Sequence, residues 1–246
     1  MKHSASRALA LISAMNARSV SAVGELARET GISKPSVVRL LAILIEDGFV
    51  QRTSRAGSYS LTRQVLSLSS GFRDDTMLAR AAAPVMQKLT GEIEWPTALG
   101  VFEAGAMVVR HSTIPSSPLA WYRTTLYLRL GLLGSAMGQI FLASCDASVR
   151  ANLLDAFDHD DVSPAEKSED HFEQVRTRGY GLRAASADHP TFSISVPILV
   201  GGGISGALSA TIYARAMPID QAVDRYLDRL RAAAAEIVNG MTEAAR

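Results

Sequence analysis

Two short runs of helix-spaced apolar residues, VGELARE and SVVRLLAILIE, stand on either side of Gly31-Ile32. Neither run is long enough to hold as a lone helix in water, so each must bury its apolar stripe against the other and against a further element. Ala8, Leu9, Ile12 and Met15 supply that element as a first helix near residues 4–16. Ser21 can cap the second helix, with Val23, Leu26 and Ala27 on its buried side. Gly31 accepts the left-handed backbone of a tight turn and ends it. Ser33 caps a third helix running to about Asp47, and Gly48 stops it. Two helices joined by so tight a turn form a helix-turn-helix.

At about 100° per residue, Val37, Leu40, Leu41 and Leu44 of the third helix gather on one side. Pro35, Ser36, Arg39 and Ile43 fall on the other. An outward face of this kind either lies in solvent or enters a DNA major groove, where Arg39 can donate to guanine edges. Ser33 and Lys34 sit at the helix start, where free N–H groups and positive charge suit phosphate. Pro35 is tolerated because it lies in the first turn. The segment FVQRTSRAGSYSLT, residues 49–62, follows directly. Phe49-Val50 and Tyr59-Ser60-Leu61 are expected as short strands around a turn at Thr53–Gly57. A hairpin in that place is a wing, and Arg52 and Arg55 on or near its tip can reach the backbone or minor groove.

Charge is distributed accordingly. Residues 1–66 hold nine Lys/Arg and four acids, a balance of +5; the remaining residues hold 16 basic and 20 acidic groups, or −4. A basic module on a mildly acidic body suits contact with a polyanion. The chain has 246 residues with 48% hydrophobic and 20% charged, which fits either one large domain or two modest ones with a buried core. It has no apolar run of about eighteen residues, so no membrane span is expected. The N-terminal stretch MKHSASRALALISAMNARS reads as an amphipathic helix rather than a secretion signal. Cys145 is the single cysteine, which excludes an internal disulfide framework and a thiolate metal cluster and agrees with a cytoplasmic location. No cofactor and no metal site are expected.

Beyond residue 62 the polar RQVLSLSSGFRDDTMLAR, residues 63–80, reads as a connecting helix interrupted near Gly71. A second helix, 76–91, follows, with Pro84 bending or beginning part of it. TALGVFEAGAMVVRHST reads as two strands around Ala104-Gly105. GLLGSAMGQIFLASC passes into a helix near Ser135, and 147–157 and 165–178 are helical. TFSISVPILV and ISGALSATIYA are strands joined at Gly201-Gly202-Gly203, and a last helix runs from about Ile219 to Met241. Helices flanking an antiparallel sheet make an α+β domain. The expected domains are residues 1–66, a linker at 67–80, and 81–246.

The runs SASRALALI, SVSAVGELARETGISKPSVVRLLAILIEDGFVQR and YSLT together resemble the DNA-binding domain of the IclR family of regulators. The stretch LGLLGSAMGQIFLA resembles that family's effector-domain signature, with Leu132-Leu133-Gly134 departing from its usual Pro-Leu pair. GFRDD, EIEWPT and AMVVR further resemble activators within the family that govern catabolism of aromatic acids. The resemblance implies an α+β chain: an N-terminal winged helix-turn-helix, a linker helix, and a C-terminal GAF-like or profilin-like domain that binds an effector. It implies a bacterial transcription regulator of a catabolic operon, with double-stranded operator DNA and a small aromatic carboxylate as partners. It also implies a homodimer, and a dimer of dimers.

Carried over by position, the resemblance places effector contacts at Ala136 and Met137 of the SAMG helix start. Ser209 and Thr211, alternate residues of one strand, share a face of the sheet. Arg183 and Phe192 match two further positions, and the loop 119–125, with Trp121, Tyr122 and Arg123, covers the site. A carboxylate there would meet helix N-terminal amides, two hydroxyls and an arginine; Trp121 and Tyr122 could pack on a ring. The same residues also fit ordinary strand and core roles. The five histidines include no HxH or HExxH spacing. DHDD at 158–161 reads as a solvated loop before it reads as a cation site, and GSAMG places its serine one position early for a nucleophile elbow. Two other classes stay open: a hydrolytic enzyme with an appended DNA-binding domain, and an architectural DNA protein without effector.

Overall fold

A computed structural model of the chain describes residues 4–16, 18–54, 57–68, 76–120, 125–156, 164–187 and 189–244. The chain divides into two compact units, the first ending in sequence near residue 73.

In the first unit, helix α1 (Ser4–Asn16) is followed by strand β1 (Ser21–Ala22), helices α2 (Val23–Thr30) and α3 (Lys34–Glu46), and strands β2 (Val50–Arg52) and β3 (Ser58–Leu61). Leu11 and Met15 of α1, Leu26 of α2, Ile32 of the turn, and Val37, Leu40, Leu41 and Leu44 of α3 form one buried core with Val50. Truncating any one of these leucines would cost about 2–5 kcal/mol. Gly31 ends α2 at φ 68, and Gly48 leaves α3 at φ 80. Both lie in the left-handed region that glycine enters without steric cost.

Ser21 does not cap α2. It pairs with Tyr59 in the small sheet, whose order is β1-β3-β2. Ala22 takes the cap position, and the Glu25 carboxylate accepts its backbone N–H at 2.9 Å. Ser33 occupies the cap position of α3, but its hydroxyl donates to the Ser36 hydroxyl at 2.9 Å rather than receiving a backbone N–H. Residues Arg63–Leu68 form a 3-10 turn. It is tied to the end of α3 by Gln64, whose Nε2 donates to the Asp47 carbonyl at 2.9 Å. Gly71 lies outside the described residues.

The second unit is a six-stranded antiparallel sheet between helices. Helix α4 (Met77–Ile93) leads into strands β4 (Thr97–Glu103), β5 (Ala106–Ser112) and β6 (Arg129–Leu130), then helices α5 (Ala136–Ser144), α6 (Ala147–Ala156) and α7 (Glu169–Arg178). Strands β7 (Gly181–Arg183), β8 (Thr191–Val200) and β9 (Gly203–Tyr213) and helix α8 (Ile219–Ala244) complete it. The sheet order is β6-β5-β4-β9-β8-β7. Pro84 sits inside α4 without ending it; it is exposed, so the carbonyl its missing N–H leaves unpaired can turn to water. Thr76 caps α4, its Oγ1 accepting the Ala79 N–H at 3.3 Å.

The alternation of β8 separates the two faces of this sheet. Phe192, Ile194, Val196 and Ile198 join Leu99, Leu208, Ala210 and Ile212 in a core closed by α4 and α8. On the other face, α5 and α7 pack Met137, Ile140, Phe172 and Val175 with Met107 and Ala207.

Candidate nucleic-acid interface and ligand site

The apolar side of α3 is fully committed to the core, so its opposite side is free. Ser33, Lys34, Pro35 and Arg39 are exposed and Ser36 half-buried, on one continuous surface of the helix and its start. Pro35 lies in the first turn, where its missing N–H leaves no ladder bond unmade. Arg39 points outward from the face opposite Leu40 and Leu41. The wing is formed as β2 and β3 with Arg52 paired to Tyr59 and exposed at the end of β2. Arg55 lies outside the described residues. Lys34, Arg39 and Arg52 therefore give basic, solvent-facing groups on a helix and hairpin anchored in one apolar core.

The ligand site assembles around the N-terminus of α5. Ser135 caps that helix, its Oγ accepting the Gly138 N–H at 3.0 Å. Helix geometry leaves the amides of Ala136 and Met137 without an intrahelical partner. The helix is seated by two glycines of the sheet. A methyl on Gly181 would collide with the Ala136 carbonyl, and one on Gly100 with the Met137 sulfur. Gly181 is in β7 and Gly100 in β4, so the start of α5 spans β8 and β9, which lie between those strands. The tie is reinforced by Gln139, whose Oε1 accepts the Leu182 N–H at 3.2 Å.

Under and beside that helix start the sheet presents hydroxyls instead of apolar groups. Ser195 pairs with Ser209, and Ser193 with Thr211. The Ser193 and Thr211 hydroxyls are 3.2 Å apart. Arg183 lies beside Ser193 on β7, and its Nη2 donates to Thr191 Oγ1 at 3.2 Å and Ser193 Oγ at 3.4 Å. Ser195 is fully buried, and its Oγ has no hydrogen-bond partner. Ser195 pairs with Gly181, on which the start of α5 rests, and a buried hydroxyl left unpaired there is an unfilled place for a polar partner. The arrangement of helix amides, hydroxyls and an arginine suits a carboxylate.

The structure brings Ala136, Met137, Arg183, Ser209 and Thr211 to this one place. Met137 enters it by its amide alone, because its side chain is buried against Gly100 and in the apolar cluster of Met107. Phe192 is corrected: it is fully buried in the core on the other face, against α4 and α8. Its neighbour Ser193 takes the position in the hydroxyl row. Thr191, Ser193 and Ser195 were not anticipated, although the strict polar–apolar alternation of TFSISV carries the signal. Trp121, Tyr122 and Arg123 lie outside the described residues, as does DHDD at 158–161. Among the described residues no group of three or more His, Cys, Asp or Glu could hold a metal ion. Nor is any described helix long and apolar enough to cross a membrane.

Residues 4–54 match the family model described as the IclR helix-turn-helix domain, and residues 73–239 the model described as bacterial transcriptional regulator IclR C-terminal. The Pca regulon regulatory protein of Pseudomonas putida is 25% identical over 241 residues, covering 95% of this chain and 82% of that protein. Two solved structures share the fold over nearly the whole chain. An IclR family transcriptional regulator from Brucella abortus has a TM-score of 0.60 at 21% identity, covering 99% of this chain and 92% of its own. An IclR homolog from Microbacterium hydrocarbonoxydans, solved in complex with 4-hydroxybenzoate, has a TM-score of 0.63 at 19% identity, covering 98% of this chain and all of its own.

Proposed function

The chain belongs to the IclR family of bacterial transcriptional regulators, and on that premise we propose that its DNA binding is controlled by a small aromatic carboxylate held on the α5 face of the second unit. DNA binding and transcription regulation follow from the family. The effector class, the regulated catabolic operon and the residues below are the further reading. The observation that carries it is the row of Ser195, Ser209, Ser193 and Thr211 beside the α5 N-terminus, with one buried hydroxyl unpartnered. The 4-hydroxybenzoate bound by the Microbacterium hydrocarbonoxydans homolog supports the ligand class. The Pseudomonas putida relative, a regulon regulatory protein, supports the control of transcription and leaves the ligand class to the bound homolog.

In this reading the carboxylate accepts from the amides of Ala136 and Met137 and from the Ser209 and Thr211 hydroxyls, with Arg183 supplying countercharge through Ser193. Ser33, Lys34, Pro35, Ser36 and Arg39 meet operator DNA, and Arg52 and Arg55 on the wing meet its backbone. A homodimer places two reading helices on two half-sites, because one helix-turn-helix reads only a short sequence; a dimer of dimers extends this to two such pairs. The domains are residues 1–66, the linker 67–80, and 81–246, in a cytoplasmic protein.

The test is calorimetric titration with 4-hydroxybenzoate and a panel of related aromatic acids. Each hydrogen bond to a charged ligand is worth about 1.5–3 kcal/mol. The Ser209→Ala, Thr211→Ala double variant is therefore expected to bind roughly tenfold weaker or worse. A variant that binds as wild type does would remove these hydroxyls from the site. Ligand recovered chemically altered would favour a hydrolytic enzyme instead.

A further inference from the structure

The outward side of α3 carries apolar surface as well as its single arginine. Pro35, Val38 and Ala42 follow one another at spacings of three and four, which makes them neighbours on the helix surface. All three are exposed, Val38 by 48%. Arg39 borders this stripe on one side. Ile43, itself 47% exposed, lies beyond Arg39 and one turn further along.

Charge decides which end of the helix approaches a polyanion. Lys34 and Arg39 lie in the first half of α3, and Glu46 and Asp47 at its end. The helix dipole adds positive character to the same first half. Val38 therefore enters a groove together with Arg39, while Ile43 sits toward the acidic end. Among the groups that bases present in the major groove, the C5 methyl of thymine is the apolar one.

We propose that Val38, with Pro35 and Ala42 beside it, reads the methyl groups of thymines next to the guanine taken by Arg39. Half-site specificity then comes from methyl contact as well as from hydrogen bonding. This rests on the reading of α3 as the DNA-contacting helix.

The experiment starts by selecting half-site pairs from random duplexes with the full-length protein. Each selected thymine is then replaced in turn by deoxyuridine, which deletes the methyl and keeps every hydrogen-bonding group. One or two thymines beside the essential guanine are expected to lose about three- to tenfold in affinity on replacement. Val38→Ser, on an exposed site that leaves the core untouched, is expected to bind thymine and deoxyuridine duplexes equally while keeping the guanine preference. Arg39→Ala is expected to lose the guanine preference and keep the methyl effect; Val38→Ala serves as the second variant should Val38→Ser fold poorly. A selected half-site in which no thymine responds to deoxyuridine overturns the proposal. So does a methyl effect that survives in both Val38 variants. If no sequence is enriched at all, the assignment of α3 as the reading helix fails first and the proposal falls with it.

Discussion

Among the described residues Arg150 is the largest side chain that is fully buried, at 2% exposure. Its Nη1 donates to the carbonyls of Leu142 at 3.0 Å and Cys145 at 3.1 Å. Its Nε and Nη2 meet the two oxygens of Glu169 at 3.0 and 2.6 Å. The guanidinium stands over the Phe172 ring at 5.3 Å. One residue of α6 thus holds the end of α5, the helix over the hydroxyl face, and the start of α7, which packs with α5 in the same apolar cluster. The Arg150 guanidinium, bonded to Glu169, holds that carboxyl below its ordinary range. Its stabilisation is therefore fully present at neutral pH and is lost as the pH falls through the lowered value, below the usual glutamate range. Arg150→Ala leaves the Leu142 carbonyl with only the weak Cys145 thiol donor at 3.4 Å and takes a donor from the part-buried Cys145 carbonyl, and is expected to cost about 2–4 kcal/mol in chemical denaturation. Glu169→Gln should cost less at neutral pH, because the carboxylate is mostly exposed, and should converge with wild type in acid. Parallel pH profiles for the two proteins would show that the pair does not couple folding to protons. Burial, partly opposed by Arg150, pushes the neighbouring Cys145 thiol up, and a thiol held protonated is a poor nucleophile.

At the scale of elements, the seat of α5 is the feature most exposed to test. Gly181 lets the helix start lie directly on the sheet, and a methyl there would meet the Ala136 carbonyl. Gly181→Ala is expected to destabilise the second unit by roughly 1–3 kcal/mol. It should also weaken carboxylate binding by displacing the free amides. A variant with wild-type melting temperature and wild-type calorimetry would mean that the helix is not held there. Much of this architecture was legible in the chain. The spacing of Val37, Leu40, Leu41 and Leu44 fixed the buried side of α3, and Gly31 and Gly48 its surroundings, because local sterics and one core decide them. Ser21 suits a helix cap by residue type, and only its pairing with Tyr59, thirty-eight positions away, puts it in a strand instead. Phe192 was placed at the ligand site, although the alternation of TFSISV puts Ser193 and Ser195 there and sends Phe192 into the opposite core. That signal was present and concerned the register of one strand. Pro84 marked no boundary because an exposed proline costs α4 a ladder bond without a buried orphan. That α5 lies over β8 and β9 required the sheet order, which no local pattern contains.

For the whole molecule, the two units carry different chemistry. The first residues form a basic reader, with nine Lys/Arg against four acids to residue 66, and the second unit holds hydroxyls and amides suited to an anion. An effector changes DNA affinity only by binding two arrangements of the protein unequally. The linker at 67–80 is the proposed moving part; its first two residues close the 3-10 turn at Arg63–Leu68 and its last four, Met77–Arg80, begin α4. Motion there would alter the spacing of paired reading helices in a dimer, with no contact between effector and DNA. The most direct measurement is a DNA-binding curve on a selected site, with and without a saturating aromatic acid, for wild type and for the Ser209→Ala, Thr211→Ala variant. The wild-type midpoint is expected to move by about fivefold or more with ligand. The variant's ligand-free curve should overlay that of wild type and stay in place when ligand is added. A variant curve that shifts as far as wild type, or one that has lost DNA binding before any ligand is present, would contradict it.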